Sequence, residues 1–297
     1  MENAALLQSE FSRIGEFFEP YLESVIPGEG LEQQVVADAM RYSLLSGGKR
    51  IRPFLLLTCY RLAGGEEREA LPLAAALEMI HAYSLIHDDL PCMDNDDFRR
   101  GRPTNHKVYG EAMAVLAGDG LLTHAFETAV KAPIQPERLL SAIRELAQAA
   151  GLYGMLGGQS IDVESEKKQF LLTETQMRQM YAMKTGALLK GACRIAFAAA
   201  GVSGKPLEAV TIYAQELGLT FQIVDDLLDR IGSFEELGKP IGSDAKNEKT
   251  TFATLHSIEE CRELARRHTE NAVAACAALP DSKVLKALAW YLLERRK

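Results

Sequence analysis

The chain has 297 residues, with 33 basic and 41 acidic side chains for a net charge of −8, and 47% of its residues are hydrophobic. That balance is globular, and at about 150 residues per domain the length allows one or two domains. Net negative charge excludes a surface dominated by nucleic-acid contacts, which needs clustered positive charge, while leaving room for a local basic pocket that takes a small anion.

Helical periodicity runs through nearly the whole chain. It predicts ten helices, near 4–24, 31–45, 53–62, 70–90, 107–130, 137–160, 173–200, 206–231, 257–279 and 282–295. Leu73, Leu77, Ile80 and Ser84 form one row, and Val210, Tyr213, Leu217, Phe221, Val224 and Leu228 another, at spacings of three and four. Breakers fall between the segments: Gly47-Gly48, Gly64-Gly65, Gly101 with Pro103, Pro133 and Pro136, Gly201 with Gly204, and Pro280. The longest irregular stretch, 231–250, has the length of a functional loop or lid. Alternating β-branched runs, linker composition and repeats are all lacking, so a single all-α domain of about ten helices over 1–297 is expected.

The longest stretch without a charge, Leu146 to Ile161, holds Gln148, Gln159 and four glycines. It is shorter than a bilayer-crossing helix, so no membrane insertion is expected. Glu2, Glu10 and Glu16 occupy the start of the chain, where a signal peptide would carry a basic and then an apolar run. The cysteines (Cys59, Cys92, Cys193, Cys261, Cys276) show no CxxC pair and no metal-ligand spacing, which points to reduced thiols in a cytoplasmic protein.

Two acidic clusters stand out: Asp88-Asp89 with Asp94 to Asp97, and Asp225-Asp226 with Asp229. Aspartate is a poor helix-interior residue, and like charges at i,i+4 repel unless something cancels them. Gln215, Gly218, Gln222, Asp225 and Asp229 make a polar stripe beside an apolar row, the pattern of a helix lining a cavity. An isolated acidic run is most simply a solvated face; two runs of the form DD…D, each beside apolar sequence, favour a site. Asp94 to Phe98 lacks the glycine and glutamate of an EF-hand. Few hard oxygen ligands suit Mg²⁺, which completes its shell with water and substrate phosphates, so a polyphosphorylated substrate follows.

Cations accompany these clusters. Gly47 to Pro53 places Lys49, Arg50 and Arg52 on a glycine turn before a helix, with Pro53 at its first position, a seat for an anion. Arg99-Arg100 follow the first cluster, Lys184-Thr185-Gly186 interrupt a helix, and Lys239 and Lys249 lie in the long loop. The glycine–lysine stretch lacks P-loop spacing.

Taken together, Glu78 to Gly101 resembles the first aspartate-rich motif of the trans-isoprenyl diphosphate synthases, and Asp225 to Asp229 the second. Gly238-Lys239 through Gly242-Ser243-Asp244 to Lys249-Thr250 resembles that motif's sequel, Gly47 to Pro53 the family's GGKRxRP stretch, and Lys184-Thr185 its KT pair. The resemblance covers about residues 40 to 255 and implies an all-α helical bundle around a central cavity. It implies that Asp88, Asp89 and Asp94 on one helix, and Asp225, Asp226 and Asp229 on a facing one, hold three Mg²⁺ bridged by the diphosphate of an allylic substrate. Arg99, Lys184, Lys239 and Lys249 would contact the same diphosphate. Lys49, Arg52, His81 and Arg100 would hold isopentenyl diphosphate, with Thr185 and Gln222 shielding an allylic cation. His81 lies two turns before Asp88 and nearly on its face; a merely packed histidine is the plainer alternative.

Ser84 and Tyr83, four and five residues before the first aspartate, occupy the positions that set the pocket floor in this family. With the two-residue insertion at Pro91, Tyr83 resembles the bacterial farnesyl type, and Tyr83→Ala is expected to lengthen the product. Ideal helix geometry puts Ser84, not Tyr83, on the Asp88 face. Leu90 to Asp97 and Arg102 to Lys107 are also similar to geranylgeranyl diphosphate synthases. A terpene cyclase would lack the Gly47–Pro53 stretch, and a non-catalytic partner subunit would not need the intact acidic and basic sets. By similarity the protein is expected to be a homodimer, joined through apolar faces such as that of 107–130.

Overall fold

The computed structural model describes residues 2–168, 171–231 and 250–295. Those residues are all-α apart from one two-stranded hairpin. In chain order the helices are α1 (Glu2–Ser24), α2 (Gln34–Leu44), α3 (Ile51–Leu62), a 3-10 turn (Glu67–Ala70) and α4 (Leu71–Asp88). The hairpin β1 (Phe98–Arg99) and β2 (Arg102–Pro103) leads to α5 (Asn105–Tyr109), α6 (Glu111–Ala129), α7 (Pro136–Ala150) and α8 (Met155–Lys168). Then come α9 (Glu174–Lys184), α10 (Gly186–Ala200), α11 (Lys205–Ile231), α12 (Phe252–Leu255), α13 (Ile258–Ala275) and α14 (Lys283–Glu294).

Three helical segments of the sequence reading divide. The stretch 107–130 splits at Gly110, whose φ of +84° lies outside the helical range of L side chains, giving α5 and α6. The stretch 137–160 ends at Ala150, because Gly151 turns extended, and restarts at Met155. Apolar residues continue across both breaks, so periodicity alone does not mark them. The break expected at Lys184-Thr185-Gly186 is present, between α9 and α10. Pro53 is the third residue of α3, not the first; its missing N–H still falls among the donors that a helix start leaves unbonded.

α4 is buried along most of its length, the mark of a helix enclosed by others, and α10 is buried except on the face that carries Lys190 and Arg194. α4 packs on α6, α3, α2 and α1, while α10 lies against α7, α3 and α11. A smaller apolar cluster, including Met177, Tyr181, Val224, Leu227, Phe252 and Cys261, joins α9, the end of α11, α12 and α13 beneath the second acidic motif. α9 and α13 each open on a full capping box, Thr173 with Gln176 and Ser257 with Glu260, which fixes where these helices begin. The five cysteines are free thiols, with the Cys59 and Cys193 sulfurs 3.6 Å apart in the core. Among the described residues no helix is long and apolar enough to cross a membrane.

Candidate active site

The α9–α10 break is built by close backbone approach. A Cβ placed on Gly158 of α8 would sit 2.2 Å from the Lys184 backbone nitrogen, and one on Gly218 of α11 would sit 3.1 Å from the Gly186 Cα. Glycine on both sides therefore lets two helices rest on the break. Thr185 occupies it with φ −107° and ψ −46°. α9 also links the two acidic motifs. Tyr181 donates its hydroxyl to Asp226 at 3.1 and 3.2 Å, and Lys184, one turn later, donates to Asp162 Oδ2 at 2.5 Å while its charge acts on Asp88.

α4 ends at Asp88 and Asp89 caps it. The chain then folds back, with the Asp94 N–H donating to the Asp88 carbonyl at 2.9 Å and the Asn95 N–H to that of Leu90 at 3.1 Å. Asp94 thus stands exposed on a turn beside Asp88 and not on the helix, a correction that follows from the two extra residues in this motif. The Arg99 guanidinium donates to Asp89 at 2.6 Å and reaches Asp96 at 3.3 Å. Burial pushes the carboxyls of Asp88 and Asp89 up to about 6, against the opposing pull of Lys184 on the first and Arg99 on the second.

On α11, Asp225 accepts from Arg295 at 2.5 Å, and the Arg295 guanidinium lies 3.9 Å over the Phe221 ring. Asp226 accepts the Phe252 N–H at 2.7 Å besides the Tyr181 hydroxyl. Asp229 is buried, and Gln222 is half-buried one turn before the pair. The polar stripe is exposed at Gln215 and closes over at Gly218, so it lines the site only along its second half.

The basic side gathers around one buried anion. Glu78 on α4 is 3% exposed and accepts from Arg50 at 2.7 Å, while Glu19 meets the same arginine at 3.0 Å. Its charge also acts on Arg52 and Arg100. Arg52 Nε is shut off from water without a hydrogen-bond partner, and the charges of Arg100 and Asp225 act on the guanidinium in opposite senses. Arg100, from the hairpin, donates to the Gly47 carbonyl and to Ser46 Oγ at 3.3 Å. Its guanidinium covers Gly48 (φ +117°), where a Cβ would come within 2.7 Å of it. His81 is held well below its ordinary pKa by burial and then by the charges of Arg52, Arg100, Arg99 and Arg50, so it is neutral at pH 7. Ser46, Arg50, Glu78, His81, Asp89 and Arg100 line one cavity. Lys49 is exposed and does not border that cavity; it lines a separate pocket with Phe11, Phe18 and Glu19 of α1.

Tyr83 and His87 share the other face of α4, with ring centroids 5.8 Å apart, and neither borders that cavity. Ser84, on the Asp88 face, donates to the His81 carbonyl at 2.9 Å. Burial and then the nearby Asp88 charge raise the Tyr83 hydroxyl above its ordinary pKa. Lys239 and Lys249 lie outside the described residues, as does most of the 231–250 loop. Tyr181, Asp162, Glu78 and Arg295 carry no signal of a site role in the sequence; each pairs with a partner far along the chain.

Among the described residues no three His, Cys, Asp or Glu side chains come close enough together to hold one metal ion, so the six-carboxylate convergence is not seen at that distance. The donor chemistry nevertheless fits a hard divalent cation. Carboxylate oxygens are the ligand type offered, and the burial that disfavours the charges of Asp88 and Asp89 is the kind of cost a bound cation offsets. The unpartnered Arg52 Nε fits an anion in the same way.

Comparison with known proteins finds relatives in both sequence and fold. A family profile described as Polyprenyl synthetase matches residues 33–289. A farnesyl diphosphate synthase from Geobacillus stearothermophilus is 48% identical over 251 residues, 81% of this chain and 84% of the relative. One from Micrococcus luteus is 42% identical over 293 residues, 98% of this chain and 100% of the relative. Among solved structures, a geranylgeranyl pyrophosphate synthetase from Pyrococcus horikoshii superposes with a TM-score of 0.87 at 32% identity, covering 97% of this chain and 99% of that one.

Proposed function

This chain belongs to the polyprenyl synthetase family, and we infer that it is a prenyltransferase joining an allylic diphosphate, dimethylallyl or geranyl, head-to-tail to isopentenyl diphosphate with farnesyl diphosphate as product. The observation that carries the reading is a group of arginines beside the first acidic pair: Arg99 pairs with Asp89, Arg50 with Glu78, and the charges of Arg50, Arg52, Arg99 and Arg100 all act on the neutral His81.

Asp88, Asp89 and Asp94, with Asp225, Asp226 and Asp229, are the residues that would hold Mg²⁺, three ions by the family resemblance and countable by metal analysis of the protein with pyrophosphate. Bound there, magnesium supplies positive charge against the diphosphate as it departs. Arg99 and Lys184, with Lys239 and Lys249, bind that diphosphate and stabilise the charge that builds on it more than the charge it carries in the ground state. The allylic C–O bond breaks with its electron pair leaving on the diphosphate. Thr185 and Gln222 offer oxygen atoms to the cation left behind. Lys49, Arg52 and Arg100 grip the diphosphate of isopentenyl diphosphate, and neutral His81 can donate one N–H to it without adding charge. The double bond of isopentenyl diphosphate forms the new C–C bond, and the proton then lost passes to the released diphosphate.

A second reading, geranylgeranyl diphosphate as product, is favoured by one observation: Ser84, a small residue, shares the Asp88 face, whereas Tyr83 packs on His87. Product analysis of the purified protein given dimethylallyl and isopentenyl diphosphates with Mg²⁺ decides between them. A fifteen-carbon product from wild type, lengthened in Tyr83→Ala, is the expected result; a twenty-carbon wild-type product or an unchanged Tyr83→Ala profile would remove Tyr83 as the floor. Hydrocarbon made from one substrate would indicate a cyclase instead.

The single domain is taken to span 1–297 and to act in the cytoplasm, in keeping with five free thiols. Val115 and Leu116 expose apolar surface on α6, supporting a homodimer through that helix; sedimentation at twice the 32.7 kDa chain mass is expected.

A further inference from the structure

Lys184 closes α9, so its four-carbon stem leaves a helix end and its ammonium needs a fixed partner to keep one place. That partner is Asp162 on α8, only 7% exposed, with Oδ2 at 2.5 Å. Asp88 feels the charges of both Lys184 and Asp162, so this ion pair lies near the end of α4. The placement of Asp162 is itself fixed by backbone packing. Gly158, one turn earlier on the same face of α8, rests against the backbone of Lys184 with no room for a side chain. Between the two, Gln159 carries an amide whose oxygen and nitrogen are both buried without a hydrogen-bond partner.

We propose that Asp162 is a positioning residue for the condensation: it holds the Lys184 ammonium at the allylic diphosphate seat, leaving the remaining N–H donors to face the substrate. The inference rests on Lys184 contacting that diphosphate. α8 then serves the reaction through a charge that touches neither the substrate nor the departing group.

A double-mutant cycle tests it, using the whole chain with Mg²⁺ and reading two quantities: the KM of each substrate, and calorimetric binding of inorganic pyrophosphate. Asp162→Asn is expected to raise the KM for geranyl diphosphate about tenfold and to weaken pyrophosphate binding similarly, with the KM for isopentenyl diphosphate unmoved. Asp162→Glu should recover part of the loss. Once Lys184→Met is present, Asp162→Asn should change neither quantity further. Additive effects, equal losses for both substrates, or an unaltered Asp162→Asn each overturn the proposal, and thermal melts separate these results from misfolding. A wild type that fails to turn over the two substrates would instead remove the functional reading itself.

Discussion

Asp226→Asn is expected to lower kcat by about 100- to 1000-fold while the protein stays folded, the scale seen when one preorganised group facing developing charge is removed. Asp226 is buried and accepts two donors, the Tyr181 hydroxyl and the Phe252 N–H. An asparagine retains a single acceptor oxygen and turns an N–H₂ toward one of those donors, so it forfeits the charge and also loosens the start of α12. Steady-state rates at saturating substrates across a Mg²⁺ titration, with circular dichroism melts alongside, check this. A variant that keeps a tenth of wild-type turnover at any Mg²⁺ concentration would show that Asp226 is a structural acceptor alone.

The second large effect concerns stability. Glu78→Leu leaves Arg50 with only the more exposed Glu19 and strips Arg52 and Arg100 of the buried negative charge they share. Breaking a buried ion pair from one side costs about 3–5 kcal/mol, because the remaining charge stays desolvated. At 2–4 °C per kcal/mol for a chain of this size or somewhat smaller, the Tm should fall by roughly 10 °C. Two further outcomes mark the cause. Arg50→Met in the same chain should recover part of the loss, and pyrophosphate should raise the Tm of Glu78→Leu more than that of wild type, since it returns an anion to the arginines. A Tm within 2 °C of wild type would mean that the three arginines do not depend on Glu78; this bound is about the effect of 1 kcal/mol.

Why Glu78 escaped notice in the sequence is instructive. α4 and α11 were legible because their apolar rows persist over many turns, and the acidic motifs because charge interrupts those rows. Glu78 sits in the middle of such a row, and only its pairing with Arg50, 28 residues away, explains how it can be buried. Asp162 with Lys184 (22 residues apart) and Asp225 with Arg295 (70 residues apart) are of the same kind. Periodicity reports which face is inward, not which distant charge it meets there. The placement of Asp94 had a different obstacle: a helix read forward from Asp88 would carry it on, whereas the backbone reverses to donate to the Asp88 carbonyl. The hairpin at Phe98 to Pro103 is two residues per strand, too short for any alternation to register.

Gly158 and Gly218 pinch the chain around Thr185 from opposite flanks. Because any added methyl group there meets backbone, the local geometry at Thr185 is set by main chain, and variation that suits longer or shorter hydrocarbon tails falls more readily to side chains such as those of α4. Attempts to retune this protein's product would therefore do better to alter residues such as Tyr83 and Ser84 than those packed around Thr185.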